Sequence, residues 1–330
     1  MRKGNKMDRR AFLKLATAAA AFSGVRGGAA WAAAKDLRVS QIRGGCADSV
    51  LKPTPLELRV GAAKPFKALH VSDTHLNFWD VTEYQGSEKW NDHFERRWVR
   101  FPQALNSFYA TLDYAAERNL PVLHTGDLID WNSSGNRRVL AHSLKDADFF
   151  YALGNHEYHT SPAGGSPAMT GDEARAALRR VAPNGLTVAS KVLNGVNFVA
   201  FDDGETNLRE EAVRGIRAEF GKGLPVVLMC HIPPCYTREF LENKLAASRA
   251  EKRRLGVAED KLPSRLSAPV QDSHDARTKE FYGWLRGQRL LKAILCGHTH
   301  IEERGAFSET ADMIVAGGNF EGRGYEIEFV

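Results

Sequence analysis

The chain has 330 residues, of which 43% are hydrophobic and 26% charged, the proportions of an ordinary globular protein with enough apolar material for a sizeable core. Its formal net charge of +5 is concentrated at the start, because residues 1–34 carry seven Lys or Arg against one Asp. The remainder holds 38 basic and 39 acidic residues, and a near-neutral body speaks against the cationic track that nucleic-acid binding needs.

Residues 1–34 run from a basic start through Lys14 into the Ala-rich apolar stretch Leu15 to Ala21, then end on Trp31-Ala32-Ala33-Ala34. This is the layout of a signal peptide. The heptapeptide Asp8-Arg9-Arg10-Ala11-Phe12-Leu13-Lys14 resembles the twin-arginine export signal, with Asp8 where Ser or Thr is commoner. An ordinary secretory signal is the competing reading. A permanent membrane span is not predicted, since the apolar run falls short of the ~20 residues a span requires. The resemblance implies export in the folded state, with the twin-arginine machinery as a partner and the periplasm or extracellular space as destination. Metals would then be chosen in the cytoplasm. Cys46, Cys230, Cys235 and Cys296 would permit two disulfides in any of three pairings. Cys230 and Cys296 each close an apolar run, which suits buried thiols.

Residues 35–65 read as an irregular lead-in with one edge strand at Leu56 to Val60. A single domain is expected over 66–330. Within it, short apolar runs each close on a polar cluster: Ala68 to Val71, Val122 and Leu123, Phe149 to Leu153, Val226 to Cys230, and Ala293 to Cys296. Runs of this kind suit strands buried on both faces. Helix-like stretches lie between them, at Gln103 to Arg118, Asp172 to Arg180, Arg209 to Phe220 and Arg277 to Arg286. Residues Ser190 to Phe201 predict a hairpin about Asn194-Gly195. Met313 to Val315 and Tyr325 to Val330 read as closing strands. Together these predict a mixed α/β sandwich with polar groups at the strand carboxyl ends.

The polar clusters are Asp73-Thr74-His75, Gly126-Asp127-Leu128-Ile129-Asp130, Gly154-Asn155-His156-Glu157, His231 and Gly297-His298-Thr299-His300. Two neighbouring cations repel, so a dinuclear site needs a bridging anion with carboxylate, amide and imidazole donors around it. These blocks supply that mixture. Strand alternation accounts for the spacing of Asp73 with His75 and of His298 with His300. Gly126, Gly154 and Gly297 allow sharp turns and close approach.

This ordered set resembles the calcineurin-like metallophosphoesterase superfamily, over residues 73–300. The resemblance implies a four-layer α/β/β/α sandwich whose metal site sits at the strand carboxyl ends. It further implies that Asp73, His75 and His300 hold one divalent ion, that Asn155, His231 and His298 hold the other, and that Asp127 bridges. The ions could be Mn, Fe, Zn, Co or Ni. His156 would be the general acid, oriented by Asp130, while a metal-bridging hydroxide attacks in line at phosphorus. The substrate would be a small phosphoester.

Departures from the family pattern narrow the choice. Trp131 stands where protein phosphatases of the superfamily carry a phosphate-gripping Arg, which favours a phosphodiester over a phosphomonoester. Asp130 and His75 replace the Tyr and Gly of purple acid phosphatases, and too few residues follow His300 for the second domain of exported nucleotidases. Two insertions are expected, near 77–101 and 232–275. The first is aromatic, with Phe78, Trp79, Tyr84, Trp90, Phe94, Trp98 and Phe101, and reads either as a packed inserted helix or as a substrate wall. The second carries the charged run Arg249 to Arg254, either a solvated helix or an anion-steering lid. His159, Asp272 and His274 are further candidates without a fixed direction. A nuclease and a non-catalytic scaffold are the rival functions; near-neutral charge opposes the first and the intact ligand set opposes the second.

Overall fold

The computed structural model describes residues 51–78, 96–160 and 169–330. The signal segment, Cys46, and Trp79, Tyr84, Trp90 and Phe94 lie outside the described residues. Among those described, five strands form one sheet in the order β1-β11-β2-β3-β4. They are β1 (Thr54–Leu58), β2 (Phe66–Val71), β3 (Val122–Thr125), β4 (Phe149–Ala152) and β11 (Tyr325–Phe329). Six more form a second sheet in the order β5-β6-β7-β8-β10-β9: β5 (Val188–Leu193), β6 (Val196–Phe201), β7 (Val226–Met229), β8 (Leu291–Cys296), β9 (Glu303–Ala306) and β10 (Asp312–Val315). Strands β2, β3 and β4 are mutually parallel, as are β6, β7, β8 and β10. Strand β11 runs antiparallel to β2, and β5 and β9 are antiparallel to their neighbours, so both sheets are mixed.

Alternation along each strand builds the layers. In β7, Val227 and Met229 face the first sheet, joining Leu123 of β3 and Ile327 of β11 in one cluster. Val226 and Leu228 face the other way, into a cluster with Ile216, Phe240 and Phe281. Those three come from α4 (Glu210–Phe220), α5 (Arg238–Arg254) and α6 (Ala276–Arg286). On the far side, Leu69, Val122 and Tyr151 pack with Phe108, Leu140 and Leu178 of α1 (Ala104–Arg118), α2 (Ser134–Ser143) and α3 (Gly171–Leu178). The architecture is therefore the expected α/β/β/α sandwich. Each buried Leu, Val or Phe contributes about 1.5–3 kcal/mol, and a one-residue slip of β7 would exchange its two faces.

The helices start where side chains can cap them. Ser133 Oγ accepts from Asn136 N ahead of α2, Thr237 Oγ1 accepts from Phe240 N ahead of α5, and Thr170 with Glu173 closes a capping box ahead of α3. The turn at Asn194 and Gly195 has φ of 45° and 85°, as a tight hairpin requires. The edge strand of the lead-in falls at Thr54–Leu58, two residues earlier than its apolar residues suggest, because its register is set by parallel pairing with β11. Cys230, Cys235 and Cys296 are free; the buried Sγ atoms of Cys230, just past the end of β7, and of Cys296 at the end of β8 are 3.7 Å apart. Among the described residues, no helix is long and apolar enough to cross a membrane.

Candidate metal centre

The segments that follow β2, β3, β4, β7 and β8 deliver Asp73, Asp127, Asn155, His231 and His298 to one end of the sandwich, with His75, Asp130, His156 and His300 close behind. All nine residues singled out from sequence converge there. His75 Nε2 lies 3.0 Å from His300 Nε2, and Asp73 Oδ1 is 3.3 Å from the latter. His298 Nδ1 lies 3.2 Å from His231 Nε2 and 3.0 Å from Asn155 Oδ1. Between these two groups stands Asp127 Oδ2, 3.6 Å from His75 Nε2 and 3.2 Å from His231 Nε2.

The protonation pattern of the rings is set from behind. His231 Nδ1 donates to the Thr125 carbonyl at 2.8 Å, and His75 Nδ1 donates to Asp130 Oδ1 at 2.9 Å. Each ring is thereby turned with Nε2 toward the cluster, the atom it would offer to a cation once that nitrogen carries no proton. Convergence of imidazole nitrogens and carboxylate oxygens on two adjacent points fits a pair of cations of the N/O-preferring kind. Two of the residue groupings suited to an ion, Asp73-His75-His300 and Asp73-Asp127-His231, have ligand atoms within 4.8 Å of one another. A third, His75-Asp130-His156, meets the same distance, but there both Nδ1 atoms are already hydrogen-bonded to Asp130.

Electrostatics follow the same division. Against burial, His300 holds the Asp73 carboxyl well below its usual range, and His231 with His156 does the same for Asp127. Burial pushes His75 down to about 4 and His298 to about 3. His231 and His156 behave differently: against burial, Asp127 with Asp73 holds the His231 ring well above its ordinary value, and the Asp127 and Asp130 carboxylates lift His156 to about 9. Its Nδ1 donates to the Asp130 carbonyl at 2.9 Å and lies 3.1 Å from Asp130 Oδ1, while Nε2 faces the cluster, 3.9 Å from Asp127 Oδ2.

One expectation is corrected. Asp73 and His75, and likewise His298 and His300, lie beyond their strands, so strand alternation does not align them. Their φ angles are 56°, 52°, 73° and 60°, and Asp127 has 51°. These left-handed residues curl each loop so that every second side chain turns inward, at a cost for residues other than glycine of about 1–3 kcal/mol each. Glycine allows the close approach: a Cβ on Gly154 would lie 2.3 Å from Asp127 N, and one on Gly297 would lie 1.7 Å from Ser72 Oγ.

Several contributors lie outside the predicted roles. The Glu157 carboxylate accepts from the backbone N–H groups of Asp127, Leu128, Ile129 and Gly154 and from Tyr151 OH, which pins the 127–129 turn. Asp203 accepts from His231 N and Ile232 N, both at 2.9 Å; it ends the apolar run of β6, the same strand-end signal carried by the motifs. A buried chain runs from Gly126 N to His124 Nδ1, from His124 Nε2 to Thr74 Oγ1, and on through Asn319 to Thr111 of α1. Arg97 donates through Nε to Asp130 Oδ2 at 2.6 Å and through Nη2 to Oδ1, and no motif announces it.

The insertions resolve in part. Phe101 is 1% exposed and packs with Phe320 and against His75, centroids 4.3 Å apart, so this ring packs rather than walls a pocket. The charged run lies on α5, where Glu251 pairs with Arg100 and Arg253 with Glu259, as a solvated helix would. His159 packs against His156, whereas His274 packs against Tyr282 and Asp272 is exposed in a 3-10 turn.

A mixed two-sheet sandwich with paired His and Asp donors at its strand ends defines a metal-dependent phosphoester hydrolase. The family model for calcineurin-like phosphoesterases matches residues 66–302, and the chain belongs to that family. Similar solved structures include a dimetal phosphatase from Danio rerio, at 13% identity and TM-score 0.41, covering 78% of this chain and 88% of that one. A phosphopantetheinyl hydrolase from Mycobacterium tuberculosis shows 11% identity and TM-score 0.38, covering 83% and 92%. A 5'-nucleotidase from Candida albicans shows 13% identity and TM-score 0.34, with 83% of this chain but 47% of that one covered. Likeness at this level says nothing of substrate. No curated protein matches the chain.

Proposed function

We propose that this protein is an exported dinuclear-metal hydrolase of a small phosphoester. Asp73, His75 and His300 would hold one divalent ion, Asn155, His231 and His298 the other, with Asp127 between them. The observation that carries the reading is the fixed orientation of His75 and His231, whose Nδ1–H bonds turn both Nε2 atoms toward Asp127 Oδ2. Bound there, a pair of cations would supply the acidification of a water and the neutralisation of charge on phosphoryl oxygens.

The chain's own part is proton delivery and alignment. His156 is locked at Nδ1 by Asp130, so its Nε2–H is the acid aimed over the cluster, where a departing alkoxide would take the proton. Export rests on residues 1–34, whose basic start, apolar run and Arg9-Arg10 pair support twin-arginine passage of the folded chain to the periplasm or beyond. The test is elemental analysis of the purified protein with rates on aryl phosphates, repeated for His156→Ala. Bound metal with aryl phosphate turnover that depends on His156 is the expected result. Metal-loaded protein that cleaves no aryl phosphate would sink the proposal.

A further inference from the structure

Trp131 is fully buried, so the position after Asp130 gives the site no charge. A guanidinium arrives by another route. Residues 96–100 are helical and bring Arg97 side-on to Asp130, using Nε and Nη2. Among the described residues, Nη1 has no acceptor. The guanidinium lies over the Phe101 ring, 4.6 Å from its centroid, and Phe101 stacks on His75 with its plane 7° from parallel. An ion pair and an aromatic face thus hold the fork before any ligand binds, which lowers the ordering cost of using its free edge. Arg97 keeps 16% of its side chain exposed and His156 and His300 keep 20%, against 2% or less for Asp73, His75, Asp127, Asp130 and His231. These three side chains are therefore partly open to solvent beside the buried group, as Asn155 and His298 also are.

We propose that Arg97 binds a non-bridging phosphoryl oxygen through its free N–H groups, and that the site is thereby built for phosphomonoester dianions. This deepens the phosphoester-hydrolase reading and rests on it. It reverses the preference for diesters drawn from Trp131, because the charge absent from that position is supplied 34 residues earlier in the chain. A monoester offers three terminal oxygens and two negative charges to a forked cation. A diester offers one charge, and its second ester group would occupy an oxygen that Arg97 would otherwise grip.

The full chain loaded with manganese is compared with Arg97→Ala and Arg97→Lys on an aryl phosphomonoester and on its methyl diester. Inorganic phosphate binding is measured by calorimetry on the same samples. Loss of the fork is expected to lower monoester kcat/KM by about 10-fold more than diester kcat/KM and to weaken phosphate binding by about 10-fold, any loss through Asp130 falling on both esters alike. Lysine should recover part of the loss, since it keeps the charge without the fork. Equal losses on both esters with unchanged phosphate affinity would mean that Arg97 acts only through Asp130, and would overturn the proposal. Were the wild type to cleave neither ester, the hydrolase reading would fail, and phosphate affinity would still decide: weaker binding in Arg97→Ala sustains the role of Arg97, and equal binding ends it.

Discussion

Oδ1 of Asp130 lies 2.9 Å from Nδ1 of His75, although sequence assigns Asp130 to the orientation of His156. His156 keeps a second acceptor in the Asp130 carbonyl, and His75 has no such reserve. Replacement of Asp130 by Asn should therefore weaken metal binding by about 10- to 100-fold, the usual consequence of losing a partner behind a ligating imidazole. Titration of metal content against free metal, with kcat measured at saturation, separates the two duties. A lower kcat with unaltered metal affinity would refute the His75 role.

The acid role of His156 predicts a dependence on leaving group. His156→Ala should lower kcat by about 100- to 10,000-fold for alkyl phosphates, and far less for a nitrophenyl phosphate whose phenolate departs without a proton. Metal content should stay the same, because Nδ1 of His156 is engaged by Asp130 and its ring is outside the ligand set. A loss independent of leaving group would assign the histidine to binding alone.

Glu157 tests how far the 127–129 turn depends on one buried carboxylate. Burial pushes its pKa up to about 7, yet five donors point at its two oxygens, and these accommodate the ionised form. Glu157→Gln places an NH2 group against donors whichever way the amide turns, at about 1–3 kcal/mol. Thermal unfolding should fall by roughly 3–10 °C, and an unchanged midpoint would show that the turn is held by other contacts.

Acid sensitivity has an identifiable contributor at Glu326 of β11. The hydrogen bond from Lys67, then that from Tyr114, hold its carboxyl below the usual 4.5. Its stabilisation is therefore fully present above pH 4.5 and is lost as pH falls through the depressed value. Unfolding midpoints measured between pH 6 and 3 should fall less steeply for Glu326→Gln than for the unaltered chain.

The sandwich is legible because runs such as Val226 to Met229 must bury both faces, and because Asn194-Gly195 admits few turns. The candidate donors are legible because each follows such a run. Arg97 is not, since its role depends on a fold-back onto Asp130 that no spacing encodes. Helix α2 is equally hidden: Ser134–Ser143 has little apolar periodicity and is fixed by the Ser133 cap and the burial of Leu140. The left-handed backbone at His75, His298 and His300 is hidden for a different reason, as the enrichment of histidine in that region is too small to announce it at any one position.

Those three histidines concentrate backbone strain at the working end of the molecule. Glycine at His300 would relax a φ of 60° at no steric cost, but it would strip away a ring packed on His75, Phe101 and Phe320 and the partner of Asp73. Selection for durability alone would therefore leave the strained backbone where it is.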